Sequence, residues 1–154
     1  MTPREFAILS TASSVEYTPH ALASFFAHTP LGEADRVVVV DNDGSLDPAV
    51  TAPYPVAVER PPAPRSFAAN VNAALARAAL RRADLYALNN DLIFTRGWAE
   101  PLAIDRAALV SPISNGQIQY RRGDLELAFT MNLDQYLGRE QLLAAIVELH
   151  QRQH

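Results

Sequence analysis

Two short polar runs carry residue types that bind hydroxyls, phosphates or divalent metals. The first run is Asp-Asn-Asp-Gly-Ser at residues 41–45, and the second is Asn-Asn-Asp at residues 89–91. Each run directly follows an apolar stretch of strand length. In a parallel α/β sheet such stops fall at the carboxyl ends of strands, where ligands bind. Because a helical pattern that contains Asn70 and Asn72 joins the two runs, the sequence predicts that they form the walls of one pocket.

Strand-like and helix-like patterns alternate along the chain. Apolar runs predict strands at residues 6–9, 37–40, 56–58, 84–88 and 107–110. Helices are predicted from residue 18 to the Pro-Leu-Gly run at 30–32, from 66 to 82 and from 138 to 151, with a short helical turn at 98–102. This alternation is typical of an α/β fold, so we expect a three-layer α/β/α architecture with a mainly parallel sheet.

Local signals indicate how the first two helices begin. Thr18 is predicted as the N-cap of the first helix, with Pro19 at its first helical position. That helix is expected to bury Leu22, Phe25 and Phe26. In the second helix, apolar residues recur at helical spacing from the position after Ser66. They are Phe67, Val71, Leu75 and Ala78.

Composition excludes several classes of function. The 154 residues carry a formal net charge of −4, which argues against a nucleic-acid-binding surface. No apolar run approaches the roughly 18 residues of a membrane span, and the first residues do not form a secretion signal. The chain has no cysteine, which excludes disulfides, thiolate catalysis and cysteine-rich zinc sites. We therefore expect a single domain over residues 1–154, located in the cytoplasm.

The basic residues narrow the chemistry further. All 13 of them are arginine, so no mechanism that needs a catalytic lysine applies. The four histidines are scattered along the chain and offer no metal-ligand spacing.

The run at residues 41–45 has three interpretations. As a calcium loop it fails, because the sixth position is Leu46 rather than glycine and the twelfth is Ala52 rather than glutamate. As the nucleophile loop of a haloacid-dehalogenase-like phosphatase it would use Asp41 to attack phosphorus, but no lysine follows to neutralise the phosphoryl group. As a nucleotide-sugar site it would use Asp41 to accept hydrogen bonds from the base or ribose, with Gly44 permitting the tight turn.

The run at residues 89–91 places one carboxylate, Asp91, beside two amides, Asn89 and Asn90. Proteins that bind a diphosphate commonly recruit Mg²⁺ or Mn²⁺ through few carboxylates together with phosphate oxygens. Asp91 suits that duty. Asn89 and Asn90 would then bind the ligand or fix the turn.

Three segments together resemble the nucleotide-binding half of GT-A glycosyltransferases of the family-2 type. Residues 37–45, VVVVDNDGS, resemble the family's strand-Asp-Asn-x-Ser signature. Residues 66–75, SFAANVNAAL, are similar to the helical segment in which an asparagine precedes a small residue. Residues 85–98, LYALNNDLIFTRGW, resemble the family's strand, metal-binding motif, short strand and Gly-Trp before a helix. The resemblance covers about residues 4 to 115.

The resemblance implies roles for individual residues. Asp41 would contact the nucleotide base or ribose with Asn42 beside it, and Thr11 would line the same pocket. Asn72 would hold or shape the nucleotide site. Asn89, Asn90 and Asp91 stand at the family's Asp-x-Asp motif. Asp91 would therefore coordinate Mn²⁺ or Mg²⁺ on the diphosphate.

The resemblance implies an inverting glycosyltransferase that moves a sugar from a nucleoside-diphosphate sugar donor to a glycan or lipid-linked acceptor. Family members usually continue through an acceptor-binding half that supplies an acidic general base, and we expect this chain to lack it. The downstream acids Asp124, Glu126 and Asp134 are expected to be surface residues, so the catalytic residues are unassigned.

Two alternatives stay open: a non-catalytic nucleotide-sugar-binding module, and the phosphatase. The apolar face that the acceptor half would cover is expected to be covered by the C-terminal helix or by a second subunit in a homodimer.

Overall fold

The structure is a computed structural model that describes residues 2–102 together with residues 121–122 and 125–126. The chain divides into two compact units, Met1–Phe94 and Thr95–His154. The strand predicted at 107–110 and the helix predicted at 138–151 lie outside the described residues, as do Asp124 and Asp134.

The first unit has four strands and three α-helices. The strands are β1 Arg4–Ser10, β2 Arg36–Asp41, β3 Ala57–Glu59 and β4 Asp84–Asn89. The helices are α1 Thr18–His28, α2 Pro48–Thr51 and α3 Phe67–Arg81, with a 3-10 helix Val15–Tyr17 before α1. The second unit contains a 3-10 helix Glu100–Leu102 and a short antiparallel pair, β5 Arg121–Arg122 with β6 Leu125–Glu126.

The four strands of the first unit form one parallel sheet in the order β3-β2-β1-β4. In the register, Leu9 of β1 lies between Val40 of β2 and Asn89 of β4. Two observations place α1 and α3 on opposite faces, because successive strand side chains point to opposite sides. Phe6 contacts Phe25 of α1, whereas its neighbour Glu5 is bonded to α3. The predicted α/β fold with a parallel sheet between helices is therefore confirmed.

The face that carries α1 is packed with aromatic rings. Phe6 lies edge-to-face against Phe25, with ring centroids 5.0 Å apart, and Phe25 meets Phe94 in the same manner at 5.3 Å. Phe26 is only half-buried and stacks on Tyr54, which follows α2. Edge-to-face aromatic pairs add about 0.5–1.5 kcal/mol beyond the area they bury.

The start of α1 corrects a local prediction. Thr18 is the first helical residue rather than the N-cap, and the cap position belongs to Tyr17 without a side-chain hydrogen bond. The Thr18 side chain is buried instead, where its hydroxyl bonds Ser10 and Asn90. Partners distant in sequence therefore outcompete the local capping interaction that the Thr-Pro pair favours.

The face that carries α3 combines a buried aliphatic cluster of Leu9, Val38 and Val40, against which Val71 of α3 packs, with small and charged side chains. Ser66, where the sequence predicts that the helix begins, caps it by accepting the N–H of Ala69 at 3.2 Å. The buried residues of α3 are Asn70, Ala74 and Ala78. Phe67 and Leu75 are 63% and 54% exposed. Of the four residues whose spacing predicted the helix, Ala78 is buried and Val71 packs against the core, whereas Phe67 and Leu75 face outward.

Ion pairs anchor α3 to the sheet. Glu5 is fully buried in β1 and accepts from Arg77 at 3.0 Å and from Arg81 at 3.3 Å. Arg77 also pairs with Glu59 of β3, which is bonded in turn to Arg65 at 3.1 Å. A buried carboxylate needs such partners, because an uncompensated charge in the interior is costly.

No helix among the described residues is long and apolar enough to cross a membrane.

Candidate functional site

The strand order defines one edge of the sheet as the candidate site. The chain runs outward from β1 to β2 and β3, and then returns to the other side of β1 as β4. The order therefore reverses between β1 and β4. In open parallel sheets ligands bind in the crevice outside the carboxyl ends of strands at such a switch point. Thr11 follows β1, Asp41 is the last residue of β2, and Asp91 lies in the loop that follows β4, so three predicted site residues lie along this edge.

Asp41 is fully buried, and both of its carboxylate oxygens accept hydrogen bonds. Its Oδ1 accepts the N–H of Leu46 at 3.2 Å, and its Oδ2 accepts from Nε of Arg60 at 2.7 Å. Arg60 also donates to the Leu46 carbonyl at 3.2 Å. Gly44 closes the turn with a φ of 77°, a conformation that favours glycine. The carboxylate thus holds the 41–46 turn, and contact with a nucleotide would require exchange of one of these bonds.

Asn42 connects the end of β2 to the start of α3. Its amide pairs with the backbone of Arg65, donating to the carbonyl at 3.0 Å and accepting the N–H at 2.9 Å. The Asn42 Oδ1 also accepts from Nδ2 of Asn70 at 2.9 Å. Both asparagines are buried. The structure therefore gives Asn42 an internal role, which sequence reasoning did not assign.

Asp43 joins the loops that follow β1 and β2. One carboxylate oxygen accepts the N–H of Ala12 at 2.7 Å, and the other accepts the Ser45 hydroxyl at 2.6 Å. The hydroxyl of Ser45 and the N–H of Ala12 lower the pKa of Asp43, against a smaller effect of burial. Asp43 is exposed at the candidate edge and was not among the predicted site residues.

Asn90 joins the loop that follows β1 to the end of β4. Its Nδ2 donates to the carbonyl of Ser14 at 2.7 Å and to the hydroxyl of Thr18 at 2.9 Å. Its Oδ1 accepts the Ser14 hydroxyl at 2.9 Å. The side chain is 4% exposed. Of the two duties that the sequence allowed, Asn90 performs the second, which is to fix the turn.

Asn89 and Asp91 differ from Asn90 in being exposed. Neither side chain has a hydrogen bond or ion pair within residues 2–102. Within residues 2–102, Asp91 therefore presents an unpaired carboxylate beside the switch point, and Asn89 presents an unpaired amide. Among the described residues no group of three or more His, Cys, Asp or Glu side chains could hold a metal ion. Asp91 can supply one carboxylate to a metal whose other ligands come from a bound phosphate or from water.

Thr11 and Asn72 lie in different surroundings. Thr11 is half-buried, and its hydroxyl is 3.0 Å from that of Ser13 and 3.3 Å from that of Ser14. Asn72 is exposed on α3, about 200° around the helix from the buried Asn70. The structure brings Thr11 to the candidate edge, whereas Asn72 points away from the sheet. Asn70 occupies the inward position.

A cavity of about 250 Å³ lies away from the switch point, beside β3 and α2. It is lined by Leu46, Pro48, Thr51, Val58 and Arg60. Arg60, which lines the cavity, is the same residue that pairs with Asp41. Because neither Thr11 nor Asp91 lines this cavity, the candidate site rests on the strand ends and not on the cavity.

Comparison of the chain with protein-family models and with curated proteins finds no match. The resemblance to family-2 glycosyltransferases therefore rests on the three sequence segments described above.

Proposed function

We propose that the chain binds a nucleoside-diphosphate sugar through Mn²⁺ or Mg²⁺ and acts as an inverting glycosyltransferase of the GT-A type. The observation that carries the proposal is Asp91, an exposed carboxylate without a partner in residues 2–102, which lies where the strand order reverses. Mg²⁺ in phosphate-handling sites is commonly held by one or two carboxylates together with substrate phosphates. A single free carboxylate fits that donor set, and the metal would neutralise charge on the leaving diphosphate.

The width of the candidate edge supports an extended ligand. The ends of β4 and β2 are two strand spacings apart, which is about 10 Å. A diphosphate at Asp91 would direct its nucleoside across β1 toward Asp41. Thr11, in the loop after β1, lies between them and offers a hydroxyl to the ligand. Asn89 offers a free amide beside the diphosphate.

The buried state of Asp41 argues against the phosphatase alternative. A nucleophilic carboxylate must reach phosphorus with one oxygen. Both Asp41 oxygens are hydrogen-bonded, and the side chain is 0% exposed. In the transferase proposal Asp41 would also have to exchange one of these bonds to reach a nucleotide, but it would need only to accept a hydrogen bond and not to attack phosphorus.

The proposal extends to partners and location. The acceptor would be a hydroxyl of a glycan or a lipid-linked saccharide, and the protein would act in the cytoplasm. A second subunit would cover apolar side chains that α3 exposes, among them Phe67 and Leu75. The general base for the acceptor is unassigned.

Calorimetric titration tests the donor site. UDP, GDP and dTDP are each titrated with MnCl₂ and again with a chelator, and we expect metal-dependent binding of one of them. Loss of even a partner of a metal ligand costs roughly 10- to 100-fold in metal affinity, so Asp91→Asn should weaken binding at least about tenfold. Asp84→Asn is the matched control, because Asp84 is an exposed acid at the amino end of the same strand.

Unchanged binding in Asp91→Asn would refute the metal-site assignment. Equal losses of binding affinity in Asp91→Asn and Asp84→Asn would refute it as well, since the loss would then follow from removing any negative charge near this strand. Release of free sugar from a nucleoside-diphosphate sugar, or transfer of that sugar to an added acceptor, identifies a transferase. Binding without either reaction identifies the non-catalytic module.

A further inference from the structure

The run at residues 89–91 alternates between exposed and buried side chains. Asn89 and Asp91 are exposed, whereas Asn90 between them is 4% exposed, and its amide nitrogen and oxygen are both hydrogen-bonded. Two N–H donors and one carbonyl acceptor are bonded to Ser14 and Thr18 at 2.7 to 2.9 Å. A ligand cannot reach Asn90 without breaking these bonds, so its contribution to the site must be indirect.

The pairing between Asn90 and Ser14 is reciprocal. The Asn90 amide donates to the Ser14 carbonyl and accepts from the Ser14 hydroxyl, across 76 residues of sequence. Ser14 also closes the turn after β1, where its N–H donates to the carbonyl of Thr11 at 3.0 Å. The pair therefore holds residues 11–14 against the end of β4.

The hydroxyls of Ser10 and Thr18 form a buried pair that extends the contact between Asn90 and Ser14. The Thr18 hydroxyl accepts from Asn90 and lies 2.9 Å from the hydroxyl of Ser10 at the end of β1. Ser10 and Thr18 are fully buried. Hydrogen bonds in such surroundings are costly to leave unmade, because the freed groups cannot bond water. The connection between β1, α1 and β4 is thus a closed polar network.

We propose that Asn90 is a positioning residue that presents Asp91 and the loop at residues 11–14 as one preassembled site. Asp91 follows Asn90 directly, so anchoring the Asn90 side chain restricts the backbone from which the Asp91 carboxylate projects. Ligand binding then costs less ordering free energy, because the loop and the carboxylate are held before the ligand arrives. The inference rests on the proposed function only in taking Asp91 as the metal ligand.

The network requires an amide at position 90. A carboxylate there would keep an acceptor for the Ser14 hydroxyl but would lose both donors, leaving the Ser14 carbonyl facing a second acceptor. Asn90→Asp therefore separates geometry from charge. Its added negative charge would favour a cation beside Asp91, whereas the lost donors would release the loop.

The test uses the full chain in four forms: wild type, Asn90→Ala, Asn90→Asp and Tyr54→Ala. Tyr54→Ala removes a half-buried ring that stacks on Phe26, so it lowers stability without touching the network. Binding of UDP, GDP and dTDP with Mn²⁺ is measured calorimetrically for each form. We expect both Asn90 variants to bind roughly 10- to 100-fold more weakly, as when a partner of a metal ligand is removed. Tyr54→Ala should bind as the wild type does.

A second readout needs no ligand. Amide hydrogen exchange is followed at Ser14 and Tyr17, whose N–H groups donate to Thr11 and Ser14 carbonyls. Exchange should be faster in both Asn90 variants and unchanged in Tyr54→Ala. Circular dichroism identifies any variant that does not fold, and the other Asn90 variant then decides the result.

The outcomes separate the two proposals. Wild-type binding with unchanged affinity in the folded Asn90 variants would overturn the positioning role and leave the proposed function standing. Absence of metal-dependent binding in the wild type would refute the proposed function. In that case unchanged exchange at Ser14 and Tyr17 overturns the positioning role, and faster exchange in the Asn90 variants alone supports only the anchoring of the loop at residues 11–14.

Discussion

Both faces of the parallel sheet bury apolar side chains, but within residues 2–102 only the α3 face adds buried ion pairs between helix and sheet. On the α1 face, Phe6 and Phe25 form an aromatic core with their neighbours. On the α3 face, Val71 packs against the buried Leu9, Val38 and Val40. Ion pairs add to this aliphatic cluster, because Glu5 is fully buried and pairs with Arg77 and Arg81. The same strand, β1, supplies Phe6 to one face and Glu5 to the other. Alternation along a single strand is therefore sufficient to give two helices different kinds of anchor.

The difference bears on the candidate site. Apolar contacts are non-directional and tolerate small shifts, whereas ion pairs and amide pairs fix a helix at one position along the strands. On the α3 face, Glu59 connects Arg77 to Arg65, and the backbone of Arg65 is paired with Asn42 at the end of β2. These ion pairs and the Asn42 amide pairing thus set the position of α3 relative to the strand ends.

The largest effect is expected on the aromatic face. Phe25→Ala should lower the free energy of unfolding by about 3–5 kcal/mol, because it removes a fully buried ring that touches three other rings. Urea unfolding monitored by circular dichroism measures the change. Phe67→Ala is the control, measured at a protein concentration at which the chain is monomeric, since Phe67 is largely exposed there and should change stability by less than about 0.5 kcal/mol. Similar losses in the two variants would contradict the assignment of the aromatic core.

A smaller effect is expected on the charged face. Glu5→Gln should cost about 2–3 kcal/mol, because it leaves two arginines without their buried carboxylate. The cost stays below that of a fully buried pair, since Arg77 keeps Glu59 and both arginines are partly exposed. Urea titration provides the value, with the exposed Glu33→Gln as control. A loss no larger than that of the control would mean that α3 is held by its small apolar contacts.

An ion pair at the rim of the α1 face should give the smallest effect, and one that depends on pH. Burial raises the pKa of Asp35, but hydrogen bonds from Arg4 and from the Gly32 N–H outweigh it and the net pKa is lowered. A lowered pKa in the folded state adds stability above the unfolded pKa and loses it as pH falls through the folded value. Asp35→Asn should therefore cost about 1–2 kcal/mol at pH 7. The difference from wild type should shrink as pH falls below about 4. A difference that is constant from pH 7 to pH 2.5, measured by urea unfolding at each pH, would contradict the pairing.

Much of the fold follows from local sequence patterns. The runs around residues 6–9, 37–40 and 84–88 predict β1, β2 and β4, since buried parallel strands need continuous apolar side chains. The helical spacing of apolar residues after Ser66 predicts where α3 begins. The position of the candidate site at the strand ends follows from the same patterns, because polar residues stop both strands at one edge.

Other features depend on partners distant in sequence. The pattern of Phe67, Val71, Leu75 and Ala78 indicates a helix but identifies its buried side only in part, since Val71 and Ala78 face the sheet and the other two do not. Asn70 faces inward because its amide donates a hydrogen bond to Asn42, which lies 28 residues earlier and just after β2. Arg60 pairs with Asp41 across 19 residues, and no local spacing signals that bond.

The sequence by itself determined the elements, the parallel α/β class and the residue types at the strand ends, because hydrophobic periodicity and turn chemistry act over a few residues. The tertiary structure alone decided which polar side chains are free. In the run at residues 89–91 all three side chains are polar, and the local sequence does not indicate which of them is buried. Only the approach of Ser14 and Thr18 buries Asn90 and leaves Asp91 exposed, since burial depends on contacts that chain folding creates between distant segments.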